Sequence, residues 1–358
     1  MATKRVIAIT GVSGFWGNQL AKRLVLDEAL HIIGIDREKP EVEIDGLDFI
    51  QADIRNPLLP ELLEDEAVDT VCHMAFNQSD LPNEAAFDMN VIGTVNVFGA
   101  SVAANVRKIV LKSSTGIYGA FPNNPGFIHE EHDLRGSRRY GYLRDLTEIE
   151  SFCNGFRQQH PEVQLTILRY ANIVGPDVST PMTRFLSDRY APILLGFDPM
   201  MQFVHQADVI NSLLHAIRED HPGTYNIAAE GLMPLTKAMA IVGKLPLPVV
   251  HVFAYWGLSA FGPTAQKHMP IEPDYLRYRW VADTARMSTD FGFIPMYTAK
   301  ETLREFAGEL RTQKFAPEAT DLSYDEERLR DTLERRRRMR ASQAPATKSE
   351  KSNRRKSA

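Results

Sequence analysis

Residues 138–150, RRYGYLRDLTEIE, read as the opening of a helix that carries Tyr140 and, four residues on, Arg144. Side chains four apart on a helix are neighbours. A phenol beside a cation that never loses its charge is a group whose proton can be drawn off and returned. A second chemical signal lies near the N-terminus, where VIAITGVSGFWGNQLAKRL sets Gly11, Gly14 and Gly17 between a strand and a helix. Glycine permits the sharp turn and lets the backbone approach a pyrophosphate, whose charge is met by amides at the helix N-terminus. The spacing is GxxGxxG rather than GxGxxG, and glycine also serves such turns for conformation alone. The acid ending the next strand pattern, Asp36 in HIIGID, strengthens the signal, nineteen residues after Gly17. A carboxylate there accepts hydrogen bonds from adenosine ribose hydroxyls and repels a 2′-phosphate, so NAD is favoured over NADP, with Arg37 next in line.

The elements that must position these groups are legible as alternating patterns. Apolar runs RVIAIT, HIIGID, LDFIQAD, VDTVCHMA, KIVLKSS, QLTILRYANIVG and GTYNIA are separated by helical stretches such as GNQLAKRLVLDEA and NVIGTVNVFGASVAAN. Continuous apolar runs suit strands of a parallel sheet covered on both faces, and the intervening stretches are long enough for crossover helices. The expected fold class is α/β, a Rossmann-type doubly wound parallel sheet with a smaller C-terminal substrate lobe and a basic, partly disordered tail. The expected domains are residues 1–175, the NAD-binding Rossmann domain to which strands return at about 203–230; 176–312, mainly a substrate-binding lobe; and 313–358, a charged helix and disordered basic tail. A lobe at the carboxyl ends of the strands would cap the ligand crevice of an open sheet.

Composition narrows the function classes. The 358-residue chain carries a net charge of -5, but residues 324–358 hold twelve Lys or Arg against six Asp or Glu, which leaves the body acidic. Contact with nucleic acid or membrane is therefore expected only through the basic tail, whose arginine run 335–338 is read first as a solvated face. Cys72 and Cys153 form no CxxC or Cys/His spacing, so no metal site is expected and a reducing cytoplasm fits. MATKRVIAIT runs into a strand without a signal core. LPLPVVHVFAYWGLSAF, residues 245–261, is apolar but short and broken by prolines, and reads as a buried or lid-forming helix rather than a membrane span.

With these motifs in place, the chain resembles the extended short-chain dehydrogenase/reductases, specifically the NAD-dependent epimerase/dehydratase family and its UDP-glucose 4-epimerase-like subgroup. The resemblance is an ordered series over roughly residues 4–312: TGVSGFWG, QADIRN, VCHMAF, NVIGTVNVF, LKSSTGIYG, LRYANIVGP, FVHQADV, YNIA and DTARMSTDFGFIP. It implies a catalytic set of Ser114, Tyr140 and Arg144, the last standing where the family has lysine. It implies cofactor contacts from Gly11, Gly14, Phe15, Trp16, Gly17, Asp36, Arg37, Asp53, Ile54, Met74, Ala75, Asn90, Tyr140 and Arg144, and substrate contacts from Ser114, Thr115 and Asn172. A homodimer packed through the Tyr140 helix and the helix after Asn90 is also implied. His205 and His73 are read as bracing the fold.

In the family's chemistry the tyrosine takes a hydroxyl proton while hydride moves to nicotinamide. A free phenol near pKa 10 must shift by about three units, or about 4 kcal/mol, to do this near neutrality. A unit charge about 5 Å away at an effective dielectric of about 20 supplies roughly 3 kcal/mol. Arg144 keeps the charge, but its planar fork and fixed proton predict a reshaped site.

The expected activity is hydride exchange between NAD and a hydroxyl on a small-molecule substrate, a nucleotide sugar or a hydroxylated lipid. Met201 stands where nucleotide-sugar enzymes place an arginine before FVH, and Arg277 and Arg279 fall in a different register from the family's later pair. An apolar pocket from residues 185–201 and 245–261 would suit a hydroxysteroid-like alcohol. The third reading is a non-catalytic NAD-binding or sensing protein.

Overall fold

The computed structural model describes residues 4–77, 82–188, 190–253, 270–315, 329–334 and 336–337. The chain divides into two compact units, residues 1–310 and 311–358. In the first, strands β1 (Arg5–Thr10), β2 (Leu30–Asp36), β3 (Leu47–Gln51), β4 (Thr70–His73), β5 (Lys108–Ser114) and β6 (Gln164–Tyr170) are joined by a seventh, Gly223–Ile227, in one sheet. Every pairing is parallel, and the order runs from Gly223–Ile227 through β6, β5, β4 and β1 to β2 and β3. Strand order reverses between β1 and β4, which opens a crevice at their carboxyl ends.

The continuous apolar runs are explained by the two faces. On one, Ile7, Ile9, Val110 and Leu168 pack with Leu20 and Leu24 of helix α1 (Phe15–Leu24) and with Leu213 and Ile217 of the helix Gln206–Arg218. On the other, Ala8, Ile33, Ile109 and Ile167 meet helices α2 (Leu59–Asp65), α4 (Gly93–Ala103) and α5 (Gly141–Gln159) through Leu63, Val97, Phe98, Leu146 and Ile149. A short α3 (Glu84–Phe87) runs through a π-helical turn, Asp88–Ile92, into α4. The π turn widens the backbone at Asn90, and such turns are frequent at functional sites.

Two sequence expectations are corrected. The run 164–175 is not one strand: β6 ends at Tyr170, and Asn172–Val174 leaves the main sheet to pair with Phe203–His205. Periodicity cannot show this, because both pieces are equally apolar. The stretch 245–261 begins not as a helix but as a strand, Leu245–Val249, parallel to Tyr190–Leu194. Pro246 and Pro248 lack amide donors, so an edge strand suits them better than a helix interior. Residues 254–261 lie outside the described residues, as do most of the tail and Arg335 and Arg338 of the arginine run. Among the described residues no helix is long and apolar enough to cross a membrane.

A third apolar cluster supports the region after β6. Met182, Phe185, Met201, Phe203, Met239, Tyr275 and Leu303 are buried together. Met201 is 1% exposed, in a two-residue strand paired with Met233–Pro234, so it is packing and not pocket lining.

Candidate active site

A cleft of about 820 Å³ lies over the carboxyl ends of β1, β2 and β4, edged by Gly11, Gly14, Phe15, Trp16, Asp36 and Ala75. Gly11 has φ +74°, and a Cβ there would sit 2.6 Å from the Ala75 backbone. A Cβ on Gly14 would stand 3.4 Å from the Gly11 carbonyl oxygen, a close contact that a ligand approaching the turn would share. A Cβ on Gly17 would stand 2.3 Å from the Gly11 carbonyl oxygen and 2.8 Å from Val12 Cα, so this glycine serves the fit of α1 to the turn. Gly17→Ala is therefore expected to lower stability by about 1–3 kcal/mol, the usual cost of overpacking, read as a fall in the urea midpoint.

Asp36 is held in place by two backbone amides. One carboxylate oxygen accepts from the Ser13 amide at 3.0 Å and the other from the Arg37 amide at 2.7 Å, which fixes the group at the rim. Arg37 and Met74 line the cleft too. Asp53 does not reach it: the Arg55 side chain forks onto Asp53 at 2.8 and 3.0 Å and holds its pKa down to about 2, and Arg55 is the residue at the cleft edge. Ile54 is buried against Gly93. Asn90 is fully buried, bonded to the Asn77 amide and carbonyl and donating to Asp145 Oδ2 at 2.9 Å.

A second, smaller cavity of about 140 Å³ adjoins the first and contains Ser114, Tyr140 and Asn172. Ser114 ends β5 with its hydroxyl accepting from the Gly116 amide at 3.1 Å. Tyr140 caps the N-terminus of α5 in extended conformation and is 9% exposed. Asn172 donates to the Gln202 carbonyl at 2.9 Å, which orients its amide. Thr115 is not brought in: it is buried, and its hydroxyl donates to the Tyr170 carbonyl at 3.3 Å.

Arg144 lines neither space. Its guanidinium forks onto the neighbouring Asp145 at 2.7 and 2.8 Å, lies 4.9 Å from the Phe87 ring centre, and reaches the Asn83 carbonyl. Asp145 is 1% exposed. The positive charge expected beside Tyr140 is thus paired with a buried carboxylate on the α3 side of the helix.

Three groups not singled out from sequence line these spaces. Lys112 and Tyr142 line both, and Glu272 lines the smaller one. Burial raises the Tyr142 phenol and the Glu272 carboxyl and lowers the Lys112 amine to about 8. A lysine inside the apolar run KIVLKSS was the available signal. His73 is fully buried between Thr10 Oγ1 and Thr94 Oγ1, and burial lowers it to about 3, so it stays neutral. His205 caps the helix Gln206–Arg218 by accepting from the Ala207 amide and stacks on Tyr297. Among the described residues one group, His215, Glu219 and His221, has ligand-type atoms within 4.8 Å of one another, at the amino end of the sheet and away from both spaces.

A Gly-rich turn, a rim carboxylate and a Ser/Tyr cavity at the switch point of a seven-stranded parallel sheet define an extended short-chain dehydrogenase/reductase. The chain belongs to the NAD dependent epimerase/dehydratase family, whose model matches residues 7–228. It is 30% identical over 314 residues to an uncharacterized protein of Mycobacterium tuberculosis, covering 84% of this chain and 83% of that one. It is 27% identical over 225 residues to short-chain dehydrogenase/reductase family 42E member 1 of Xenopus laevis, covering 58% of this chain and 57% of the other. In structure it is similar to UDP-glucose 4-epimerase of Thermotoga maritima solved with UDP-glucose, at TM-score 0.66 and 19% identity, over 86% of this chain and 99% of that one. The dTDP-glucose 4,6-dehydratase of Bacillus anthracis in complex with NAD gives 0.65 and 17%, over 87% and 97%.

Proposed function

We propose that this chain is an NAD-dependent, epimerase/dehydratase-like oxidoreductase that exchanges hydride with a hydroxyl of a nucleotide sugar. The observation that carries the reading is that the glycine cleft and the Ser114/Tyr140 cavity share a wall, made by Trp16, Lys112 and Tyr142. A hydride can pass only where donor and acceptor carbons touch, and this wall is the place where two ligands would meet.

The glycine turn, Asp36 and Arg37 fit the adenosine and pyrophosphate half of NAD, whose nicotinamide, when bound, is the hydride acceptor. Ser114 orients the substrate hydroxyl, and Tyr140 removes its proton and returns it. Met74, Ala75 and the Asn90-braced segment close the far wall of the cleft. Asp36→Ala is expected to weaken NAD binding by about 10- to 100-fold, since hydrogen bonds to a charged group contribute about 1.5–3 kcal/mol, and to narrow the preference over NADP. Titration of NADH and NADPH fluorescence reads both.

One observation favours a second reading for the substrate. Pro181, Met182, Pro270, Ile271 and Trp280 make much of the cavity wall apolar, which suits a hydroxylated lipid or steroid-like alcohol. The predicted lining from 185–201 is replaced by residues 180–182 and 270–280. Nucleotide sugars and sterols mixed with NAD-loaded protein, with NADH fluorescence as readout, decide between the classes. A signal from neither, with NAD bound, supports the non-catalytic reading. The homodimer stays a proposal, favoured by the exposed Ile92 and Val95 around the start of α4.

A further inference from the structure

On β5 the side chains of Lys112 and Ser114 emerge on the same face, while Ser113 between them turns the other way to Glu150. Lys112 is 4% exposed, with Nζ 5.2 Å from the Trp16 ring centre and 5.8 Å from that of Tyr170. No carboxylate pairs with it among the described residues, which sets it apart from Arg144 and from Lys108, whose amine meets Asp220 at 2.5 Å. A buried, carboxylate-free ammonium is costly, and here it stands at the wall shared by the two ligand spaces.

We propose that Lys112, rather than Arg144, supplies the positive charge at the reacting end of this site. The inference rests on the oxidoreductase reading above. In the oxidative direction the substrate O–H bond breaks and its proton passes to the Tyr140 oxygen. The carbinol C–H bond breaks with its electron pair, which leaves as hydride to the nicotinamide, and the carbonyl bond forms. Lys112 exchanges no bond in this step. Its charge favours the phenolate of Tyr140, and it opposes the cationic oxidised nicotinamide more than the neutral reduced one. A fixed cation at this point therefore pulls the hydride toward the cofactor.

The other titratable groups lining the two spaces are Tyr140 and Tyr142 from the start of α5, Tyr170 from β6 and Glu272 at the smaller one, and Asp36, Arg37, Glu38, Arg55 and Asp177 at the cleft. Burial raises the Tyr142 and Tyr170 phenols, so neither ionises near neutrality. The Lys112 amine, lowered to about 8, is charged at pH 7 and largely neutral at pH 9.

The test compares full-length wild type, Lys112→Met, Lys112→Gln and Arg144→Met for NAD and NADH affinity at pH 7 and pH 9. Wild type is expected to prefer NADH at pH 7 by about tenfold more than at pH 9, as a unit charge at short range in a poorly screened site provides. Both Lys112 variants are expected to lose that pH dependence, and Arg144→Met to keep it. Loss of the dependence in Arg144→Met with retention in the Lys112 variants overturns the proposal, as does a preference that is flat with pH in wild type. If wild type binds neither cofactor form, the oxidoreductase reading itself has failed, and the inference falls with it.

A stability readout stands apart from cofactor binding. With its folded pKa below the unfolded 10.5, Lys112 costs stability below about pH 8, and the cost fades as pH rises through that window. Lys112→Met is expected to melt above wild type at pH 7 and to converge with it toward pH 10.5. A lower melting temperature for Lys112→Met at pH 7 would mean the ammonium is compensated in place, which overturns the proposal.

Discussion

Tyr140→Phe is expected to lower the rate of hydride exchange by about 10²- to 10⁴-fold, the usual contribution of a positioned acid/base group, while changing NADH affinity far less, since Tyr140 lines the smaller cavity and not the glycine cleft. The substitution removes one oxygen from a side chain that is 9% exposed and keeps the ring that fills the cavity wall. Tyr140 also starts α5 through its carbonyl, which accepts from the Arg144 amide at 3.0 Å, and phenylalanine retains that bond. Stopped-flow mixing of NAD-loaded protein with the substrate found by the panel reads the rate, and NADH titration reads the affinity. An unchanged rate would transfer the proton step to another group in the cavity, with Glu272 the residue in place to take it.

The largest stability effect is expected one layer beneath the site. Glu150 on α5 is 2% exposed and receives the Arg169 fork at 2.6 to 3.1 Å, together with the Ser113 hydroxyl. Arg169 donates onward to the Tyr118 hydroxyl and the Glu130 carbonyl, both at 2.7 Å, and Tyr118 donates to Asn226. This network ties α5 to β5, β6 and the last strand of the sheet, and so fixes where Tyr140 stands relative to Ser114.

Glu150→Ala leaves a buried guanidinium without its carboxylate, and is expected to cost about 3–5 kcal/mol in urea unfolding. The double variant Glu150→Met with Arg169→Met is expected to recover most of that loss, because it removes both desolvated charges. Failure of the double variant to recover would place the cost in the polar partners, Ser113 and Tyr118, rather than in the unpaired charge. Domains carry only about 5–15 kcal/mol in total, so the single variant should also shorten the lifetime of the site.

How far the residues alone lead differs between the scaffold and the site. KIVLKSS becomes β5 over the same seven residues, and RVIAIT becomes β1, because a short run with an apolar centre between helical stretches is enough to mark a strand covered on both faces. The glycine turn and Asp36 were equally legible. Their demands are local: a backbone conformation at Gly11, a close approach at Gly17, and a carboxylate at the end of β2. The break after Tyr170 and the strand at Leu245–Val249 were not, since a strand's choice of partner depends on what other segments leave open.

Chemistry at the site shows the same division. The family resemblance implied that Ser114, Tyr140 and Asn172 share a site, and the fold brings them to one cavity, because each sits at or just beyond a strand end or at a helix start on the carboxyl side of the sheet. What spacing could not decide was which cation faces them. Arg144 has the right number, yet Asp145 beside it and Phe87 on α3 draw its long side chain away. Lys112 has no motif to announce it, and only the stacking of β5 between α1 and β6 sets its ammonium over Trp16 and Tyr170. The sequence by itself determined the sheet and the cofactor turn, because those follow from short-range pattern and backbone geometry, while the proposed roles of the Ser114 and Tyr140 hydroxyls come from the family resemblance. Only the tertiary structure decided where the positive charge goes, because a flexible charged side chain settles wherever distant segments offer it a partner or deny it one.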